Sequence, residues 1–226
     1  MKPTISIIIP AYNAGKYIAE ALGSVYAAGS GTSFDTEIIV VNDGSIDGTA
    51  DKISGEDVIL LEKERGGAAS ARNAGLKVSS GELIAFLDAD DVYMPGALDA
   101  MYSVLRENDA DAVFAMTEDF VSPELTAEEK DGLPVRRQPY SGIMPGCSLI
   151  RRQVFDTIGF FNENLSSGET VEWLMKLKDS GRKTVQMEQV VLKRRIHLTN
   201  TGRTQRMREM QNYAAVLRMR NRKKQK

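Results

Sequence analysis

The sequence predicts a single α/β domain in which a mostly parallel central sheet is flanked by helices. Three apolar, β-branched runs, at residues 5–10, 37–41 and 83–87, each lead directly into a polar cluster. Continuous apolar runs bounded by turn residues are typical of strands buried on both faces of a parallel sheet. Strand and helix patterns also alternate through the first half of the chain, which is the signature of βαβ units.

The individual elements follow from hydrophobic periodicity and turn residues. Strands are expected at residues 5–10, 37–41, 58–61, 83–87 and 110–116, with helices at 16–28, 47–53, 67–77 and 95–106 between them. Residues 117–139 are acidic and contain three prolines, so we expect a loop or a small excursion there. Regular structure is expected to resume at 146–151, followed by a helix at 169–178 and strands at 183–187 and 190–196.

Length and composition indicate one globular domain. The chain has 226 residues, of which 42% are hydrophobic and 27% charged, as is common for such domains. Its only cysteine, Cys147, excludes an internal disulfide framework. No apolar stretch approaches the roughly 20 residues needed to span a bilayer, and strand pattern begins without a secretory signal. These features together predict a cytoplasmic protein.

The charge distribution sets the last 24 residues apart from the rest. Residues 203–226 carry a formal charge of +8, whereas residues 1–202 carry −10. We therefore expect a domain at 1–202 and a basic amphipathic helix at 203–226. That helix can dock on its own domain, mediate a homodimer, or make peripheral contact with the inner face of an anionic membrane. Nucleic-acid binding is not expected, because the body is acidic.

The polar clusters mark a candidate site, since ligands of open α/β sheets bind beyond the carboxyl ends of the strands. Asp88 and Asp90 follow the third apolar run. On extended backbone, side chains at i and i+2 lie on one side, so these carboxylates can share a divalent cation. The alternative is an acidic turn that caps the next helix. Ala89 between them is expected to line a nucleotide site.

The first two clusters favour a nucleobase pocket. Asp43 ends the second run, where its carboxylate can accept a hydrogen bond from a ring N–H of uracil or another imide. Turn formation is the alternative for this cluster. Pro10, Ala11, Tyr12 and Asn13 follow the first run and can form a wall on which the base stacks, although Tyr12 is equally compatible with the core.

Two further side chains are candidates for binding an anion or a metal. Arg72 lies in a helix rich in small residues and can pair with a phosphate or with the acidic cluster. His197 is the only histidine and ends a strand pattern between basic and hydroxyl residues. It is a candidate for the metal or the phosphate, against the more common structural role of a lone histidine.

Taken in order, these motifs resemble the family 2 glycosyltransferases. The matching segments are SIIIPAYNAGKYI, EIIVVNDGSIDGT, GGAASARNAGL, SSGELIAFLDADD and, more loosely, RRIHLTNTG. The resemblance implies a Rossmann-like domain of glycosyltransferase A type, an inverting mechanism, a nucleotide-diphosphate sugar as donor and Mn²⁺ or Mg²⁺ as cofactor. It implies base contacts at Ala11, Tyr12 and Asp43, a nucleotide held by Arg72 and Asp88, and a cation bound by Asp90 with His197 nearby.

The resemblance departs from the family pattern at the expected catalytic base. The family places an acidic pair at the start of the acceptor-side helix, and its Asp is the general base. Thr170 stands at that position here, next to Glu169, and Glu172 lies about one turn further on. A threonine hydroxyl is too weakly basic for this role, so Glu169 is the first candidate.

These motifs predict a metal-dependent inverting transferase that prefers a UDP-sugar donor. Its acceptor would be a carbohydrate, lipid-linked or other hydroxyl. A nucleotide-sugar-binding protein that has lost its base is the alternative. A sugar nucleotidyltransferase is disfavoured because no basic, Gly-rich loop follows the first strand, and a dinucleotide dehydrogenase because no G-x-G-x-x-G follows it.

Overall fold

The computed structural model describes residues 3–29, 33–141, 145–165 and 167–200. Within those ranges, nine strands form one sheet, accompanied by seven α-helices and a 3-10 helix. The strands are β1 Thr4–Ala11, β2 Asp35–Asp43, β3 Ile59–Lys63, β4 Leu83–Phe86, β5 Val92–Tyr93, β6 Ala112–Val121, β7 Tyr140–Ser141, β8 Ser148–Arg151 and β9 Thr184–Ile196. The helices are α1 Ile18–Ala28, α2 Thr49–Ile53, α3 Ala68–Val78, α4 Ala97–Glu107, α5 Ala127–Lys130, α6 Arg152–Ile158 and α7 Glu169–Asp179, with the 3-10 helix at Pro145–Cys147.

The strand order is β3-β2-β1-β4-β8-β6-β9-β5, with β7 paired to β6. The first four strands are parallel, as predicted, and β6 is parallel to β9. The pairings of β8 with β4 and β6, of β5 with β9 and of β7 with β6 are antiparallel. The order reverses between β1 and β4, which makes that point the expected ligand crevice.

Both faces of the central strands are buried, which explains the continuous apolar runs. In β1, Ile5, Ile7 and Ile9 belong to the core on the side of α1 and α4. Ile8 points to the other face and packs with residues of α3, α6 and α7. Because successive strand side chains alternate between faces, a strand between two helical layers needs apolar residues at every position.

The prediction of a loop at 117–139 is wrong for its first five residues, which continue β6. Glu118, Asp119 and Phe120 pair in register with three consecutive basic residues of β9, Lys193, Arg194 and Arg195. Opposite charges facing each other across strands stabilise a pairing. The acidic composition that suggested a loop is therefore complementary to a distant basic strand.

Three other differences from the predicted elements concern β9, β5 and α6. The strands predicted at 183–187 and 190–196 are one strand, β9, whose register against β6 shifts between Phe114 and Thr117. The short strand β5 and the helix α6 were not predicted. The basic segment 203–226 lies outside the described residues. Among the helices that are described, none is long and apolar enough to cross a membrane.

Candidate active site

The site is built on the carboxyl ends of β1, β2 and β4. These adjacent parallel strands bring residues 10–13, 42–45 and 88–91 to one edge of the sheet. The end of β9 adds residues 197–200, because β9 runs parallel to β6 and pairs with β5 just after the Asp88–Asp91 turn. The clusters expected to meet from the sequence therefore do meet.

Asn13 holds the loop after β1 against the loop after β2. Its backbone N–H donates to Ser45 Oγ (2.9 Å), and its Oδ1 accepts from the N–H of Ile46 (3.0 Å). Its φ of 49° is left-handed, a conformation that asparagine tolerates better than most residues. Ala11 is buried, whereas Tyr12 is 38% exposed and faces outward from this loop. Tyr12 thus lies at the surface of this loop rather than in the core.

The Asp43 carboxylate is buried and already engaged with the loop after β3. Oδ1 accepts from Lys63 Nζ (2.5 Å) and from the N–H of Gly66 (2.9 Å), and Oδ2 accepts from the N–H of Gly67 (2.7 Å). A carboxylate offers about four lone-pair positions, two on each oxygen. Both positions on Oδ1 are filled, so Oδ2 retains one open acceptor position.

Two basic side chains that sequence reasoning missed surround this pocket. Lys63 is the ion-pair partner of Asp43. The Arg65 guanidinium lies 3.7 Å from the centre of the Tyr12 ring, and its Nη1 donates to the Tyr12 hydroxyl (2.5 Å). Gly44 permits this approach, since a Cβ there would lie 3.0 Å from the Arg65 backbone nitrogen. The unbroken EKER charge run offered no clue to which of its members face the site.

Arg72 lies buried at the centre of the site and bridges two carboxylates. Its Nη2 donates to Asp88 Oδ1 (2.9 Å) and its Nη1 to Glu169 Oε1 (3.0 Å). Burial alone would lower the pKa of the guanidinium, but the two carboxylates raise it above its usual value. Arg72 Nε has no hydrogen-bond partner among the described residues. The small residues of α3 bring this helix close enough to β1 for Arg72 to reach β4.

The backbone at Asp88–Asp91 is a turn, closed by a hydrogen bond from the N–H of Asp91 to the Asp88 carbonyl (3.0 Å). The expectation of extended backbone there is therefore wrong. The turn separates the two carboxylates: Asp88 pairs with Arg72, and Asp90 turns toward His197. Asp91 anchors the turn from inside the core, where burial and the neighbouring carboxylates raise its pKa well above the usual value.

Asp90 and His197 are in direct contact. His197 Nε2 lies 2.9 Å from Asp90 Oδ2, and the opposite ring nitrogen, Nδ1, lies 3.0 Å from Thr199 Oγ1. Asn200 closes the turn that carries the histidine: its Oδ1 accepts from the N–H of His197 (2.6 Å), and its Nδ2 donates to the Arg195 carbonyl (3.0 Å). His197 is buried, and its ring is held from both sides, so the orientation of the ring is fixed.

The donor set of Asp90 and His197 fits a cation shared with a phosphate ligand. No cluster of three or more His, Cys, Asp or Glu side chains able to hold a metal occurs within the described ranges. A carboxylate oxygen and an imidazole nitrogen nevertheless converge at the sheet edge. Mg²⁺ commonly uses only one or two protein carboxylates and completes its shell with substrate phosphates and water. Asp90 supplies such a carboxylate, and His197 Nε2 adds a nitrogen ligand of the kind that transition metals accept more readily than Mg²⁺ does.

The start of α7 brings Glu169 into the site, and the Thr170 hydroxyl lies 3.5 Å from Glu169 Oε1. Glu169 is the second partner of Arg72, with only 14% of its side chain exposed. Thr170 lines a small, mainly apolar pocket together with Phe86, Phe161 and Trp173, among others. The Thr170 side chain thus borders an apolar pocket, and the neighbouring Glu169 carboxylate is engaged with Arg72.

Several solved structures of the glycosyltransferase A fold share this architecture. S. aureus TarS superimposes with a TM-score of 0.71 at 23% identity, over 97% of this chain and 39% of TarS. TarS 1–349 in complex with UDP-GlcNAc gives 0.68 at 24% identity, over 88% and 60%. The mannosyltransferase PcManGT from Pyrobaculum calidifontis, in complex with GDP-Man and Mn²⁺, gives 0.69 at 21% identity, over 96% and 65%. The fold predicted from the sequence is confirmed.

The chain belongs to glycosyl transferase family 2, whose model matches residues 6–159. A glycosyltransferase of Rickettsia typhi is 32% identical over 232 residues, covering 95% of this chain and 70% of the relative. Glycosyltransferase GlyG of Streptococcus pneumoniae is 29% identical over 187 residues, covering 72% and 61%. The chain spans only 31% of a Rickettsia felis glycosyltransferase that is 32% identical over 191 residues. Shared family and fold therefore leave donor and acceptor to be argued from this chain's own residues.

Proposed function

We propose that this protein transfers a sugar from a nucleotide-diphosphate donor to an acceptor hydroxyl, with inversion at the anomeric carbon. The observation that carries the proposal is the contact of Asp90 with His197, 2.9 Å apart, on the strand edge that also holds Asp43 and the Arg72–Asp88 pair. Base-binding and cation-binding side chains thus lie where α/β folds bind ligands.

The hydrogen bonding of Asp43 favours uridine as the base. Uracil presents one ring N–H between two carbonyls, which matches the single open acceptor position on Oδ2. Guanine presents an N1–H beside an exocyclic amino group, and pairing with both would require both carboxylate oxygens. The face of the Tyr12 ring opposite Arg65 would supply the stacking surface. Pro10, Ala11, Asn13 and Ala89 belong to the adjacent strand ends and loops.

The diphosphate would lie between Arg72 and the Asp90–His197 pair. A divalent cation, Mn²⁺ or Mg²⁺, would be held by Asp90 and His197 and would neutralise charge on the departing diphosphate. Arg72 keeps Asp88 at the edge of this space, and its unpartnered Nε is a further donor. Removal of any of these groups would leave the developing charge less stabilised.

Glu169 is the proposed general base. In a single displacement, the acceptor oxygen bonds to the anomeric carbon as the bond from that carbon to the diphosphate oxygen breaks. The acceptor proton passes to the Glu169 carboxylate. Oε1 is engaged by Arg72, which leaves Oε2 for this role. The acceptor would be a carbohydrate, lipid-linked or other hydroxyl.

A second candidate is a nucleotide-sugar-binding protein without transferase activity. Its support is the pairing of Glu169 with Arg72, combined with Thr170 at the apolar pocket. Under this alternative the donor half of the site keeps its function while no free carboxylate faces the acceptor. The two candidates differ in turnover, not in nucleotide binding.

Calorimetric titration of UDP and GDP, each with Mn²⁺ and with EDTA, tests the donor site. We expect UDP to bind more tightly than GDP in Mn²⁺, and Asp90→Asn to lose the Mn²⁺-dependent part of the affinity. Asp35→Asn is the matched control, because Asp35 is exposed at the amino end of β2, on the opposite edge of the sheet. Absence of nucleotide binding by the wild type would refute the proposal, and preference for GDP would refute the uridine assignment.

Single substitutions in α7 separate the two candidates. If Glu169 is the base, Glu169→Gln lowers transfer about 10²- to 10⁴-fold with UDP affinity retained. Glu163→Gln, which alters a carboxylate bonded to Asn73, is the control. If the wild type binds donor but transfers nothing to a broad acceptor panel, while Thr170→Asp gains transfer, the binding protein is the correct description. Full activity of Glu169→Gln would exclude Glu169 as base.

The segment 203–226 is proposed to contact protein or membrane. Co-sedimentation with vesicles of anionic and of neutral lipid, for the full chain and for a chain ending at Gly202, distinguishes the two. Binding to anionic vesicles only by the full chain would support peripheral membrane contact. Sedimentation velocity of the same two proteins tests whether the segment mediates a homodimer.

A further inference from the structure

Arg195 is a fully buried arginine that lies beneath the proposed cation site. It is 2% exposed, although it sits near the end of β9, two residues before His197. Burying a guanidinium is costly unless its donors are matched. The partners that match this one therefore indicate what the residue does.

One set of partners is the Asp88–Asp91 turn. Arg195 Nε donates to the Asp90 carbonyl (2.8 Å), and the Arg195 backbone N–H donates to Asp91 Oδ1 (2.9 Å). One residue of β9 thus holds the turn at both of its last two positions. Because β5 pairs with β9 immediately after this turn, little freedom remains for the Asp90 backbone.

A second set of partners fixes the guanidinium itself. Its central carbon lies 4.8 Å from the centre of the Tyr17 ring and 4.6 Å from that of Phe120, so two aromatic rings contact it. Nη2 lies 2.5 Å from Glu20 Oε2 at the start of α1. Contact with aromatic rings and a carboxylate suits the planar, forked arginine side chain and not lysine.

The same residue is linked to the other cation-binding side chain. The Arg195 carbonyl accepts from Asn200 Nδ2, whose amide oxygen holds the N–H of His197. The His197 ring also lies 4.9 Å from the Tyr17 ring that contacts Arg195. Arg195 therefore connects to Asp90 through its side chain and to His197 through Asn200 and Tyr17.

We propose that Arg195 is a positioning residue that sets the distance and orientation of Asp90 relative to His197, and through them the affinity for the metal–nucleotide complex. This inference rests on the proposed function. Arg195 touches neither donor nor cation; it holds the turn and the strand end that carry the two ligands. Loss of such supporting hydrogen bonds typically lowers metal affinity about 10- to 100-fold.

The test compares Arg195→Lys with Arg152→Lys, without relying on turnover. Arg152 is a matched control at the opposite edge of the sheet, where its Nε donates to the Gly81 carbonyl (2.6 Å) and its Nη2 to Ser79 Oγ (2.8 Å). The readouts are the ratio of UDP dissociation constants in EDTA and in saturating Mn²⁺, and the Mn²⁺ bound by the UDP complex in electron paramagnetic resonance. Thermal unfolding gives the stability of each variant.

For Arg195→Lys we expect the ratio to fall about tenfold or more, with the UDP affinity in EDTA unchanged. Arg152→Lys should lower the unfolding midpoint and leave the ratio at the wild-type value. A wild-type ratio in folded Arg195→Lys, or an equal fall in both variants, would overturn the proposal. A wild type with no Mn²⁺ effect would instead refute the proposed function.

A milder variant covers the case in which Arg195→Lys does not fold. Glu20→Gln removes the counter-ion of Arg195, and its own side chain is 58% exposed, so the core is left intact. We expect a smaller but measurable fall in the Mn²⁺ ratio for Glu20→Gln. If the ratio of UDP dissociation constants stays at the wild-type value, the orientation of the Arg195 guanidinium does not affect cation binding and the inference fails.

Discussion

Substitution of Gly75 tests whether the contact between α3 and β1 positions the site. A Cβ on Gly75 would lie 2.4 Å from Ile8 Cγ2, about 1 Å less than the ordinary contact distance that begins at 3.4 Å. Overpacking of this kind costs about 1–3 kcal/mol, while alanine in a helix regains up to about 1 kcal/mol over glycine. Because a 2.4 Å contact is severe, we expect the overpacking cost to lie near the upper end of its range, about 2–3 kcal/mol. Gly75→Ala should therefore lower the free energy of unfolding by about 1–2 kcal/mol.

The displacement should also weaken nucleotide binding. Arg72 lies on the same helix, so a shift of α3 of about 1 Å moves the guanidinium away from Asp88. Urea unfolding measures the stability and calorimetry with UDP measures the binding. Gly23→Ala is the control, because Gly23 is an exposed helical glycine with no atom within 4 Å of the new Cβ. That variant should gain up to about 1 kcal/mol.

A double mutant distinguishes the clash from a general loss of packing. Ile8→Ala alone costs about 2–5 kcal/mol, but it removes the clashing methyl and leaves Ile8 Cβ 3.4 Å from the new atom. The cost of Gly75→Ala in the Ile8→Ala background should therefore disappear. Strict additivity of the two substitutions, or a Gly75→Ala protein as stable as the wild type, would refute the steric argument.

Three further outcomes are expected. Hydrogen bonds from Lys16 and Ser122 outweigh burial and hold the pKa of Glu124 well below its usual value. The stabilising effect of the ionised carboxylate is therefore present above about pH 4.3 and declines as the pH falls toward the pKa of the folded state. The loss of stability caused by Glu124→Gln, measured by urea unfolding, should accordingly shrink as the pH is lowered. Asn73→Asp loses the donor to the Phe161 carbonyl (2.9 Å) and should cost about 1–3 kcal/mol in the same assay. Trp173→Phe leaves the Gly159 carbonyl without the indole N–H (2.8 Å) and should also cost about 1–3 kcal/mol, with UDP affinity unchanged.

The meeting of residues 10–13, 42–45 and 88–91 at one edge of the sheet could be predicted because its information is local. Each of β1, β2 and β4 is an apolar run, and the residue that follows it is necessarily at the sheet edge. The acidic end of β6 could not be predicted, because Glu118 and Asp119 resemble a loop until their basic partners in β9 are known. The Arg195 guanidinium is paired with Glu20, which lies 175 positions away in the chain. Local sequence patterns cannot reveal such a distant contact.

The acceptor side was the hardest to predict, for a related reason. The sequence predicted that Glu169 and Thr170 lie at the start of a helix, but it did not indicate which of them faces Arg72. Helix α7 sets this through Trp173, which is buried against Phe155 and bonded to the Gly159 carbonyl. The rotation of a helix on a sheet depends on its whole packing face, not on its first turn.

The separation of Asp90 and His197 along the chain, 107 residues, bears on how the domain assembles. The strands β1 to β4 that carry the base-side residues lie within the first 86 positions, whereas the histidine arrives only with β9. Contacts between distant segments form late, because closing a long loop costs entropy. The contact between Asp90 and His197 therefore depends on the docking of β9, whereas the neighbouring ends of β1, β2 and β4 come from one contiguous stretch of the chain.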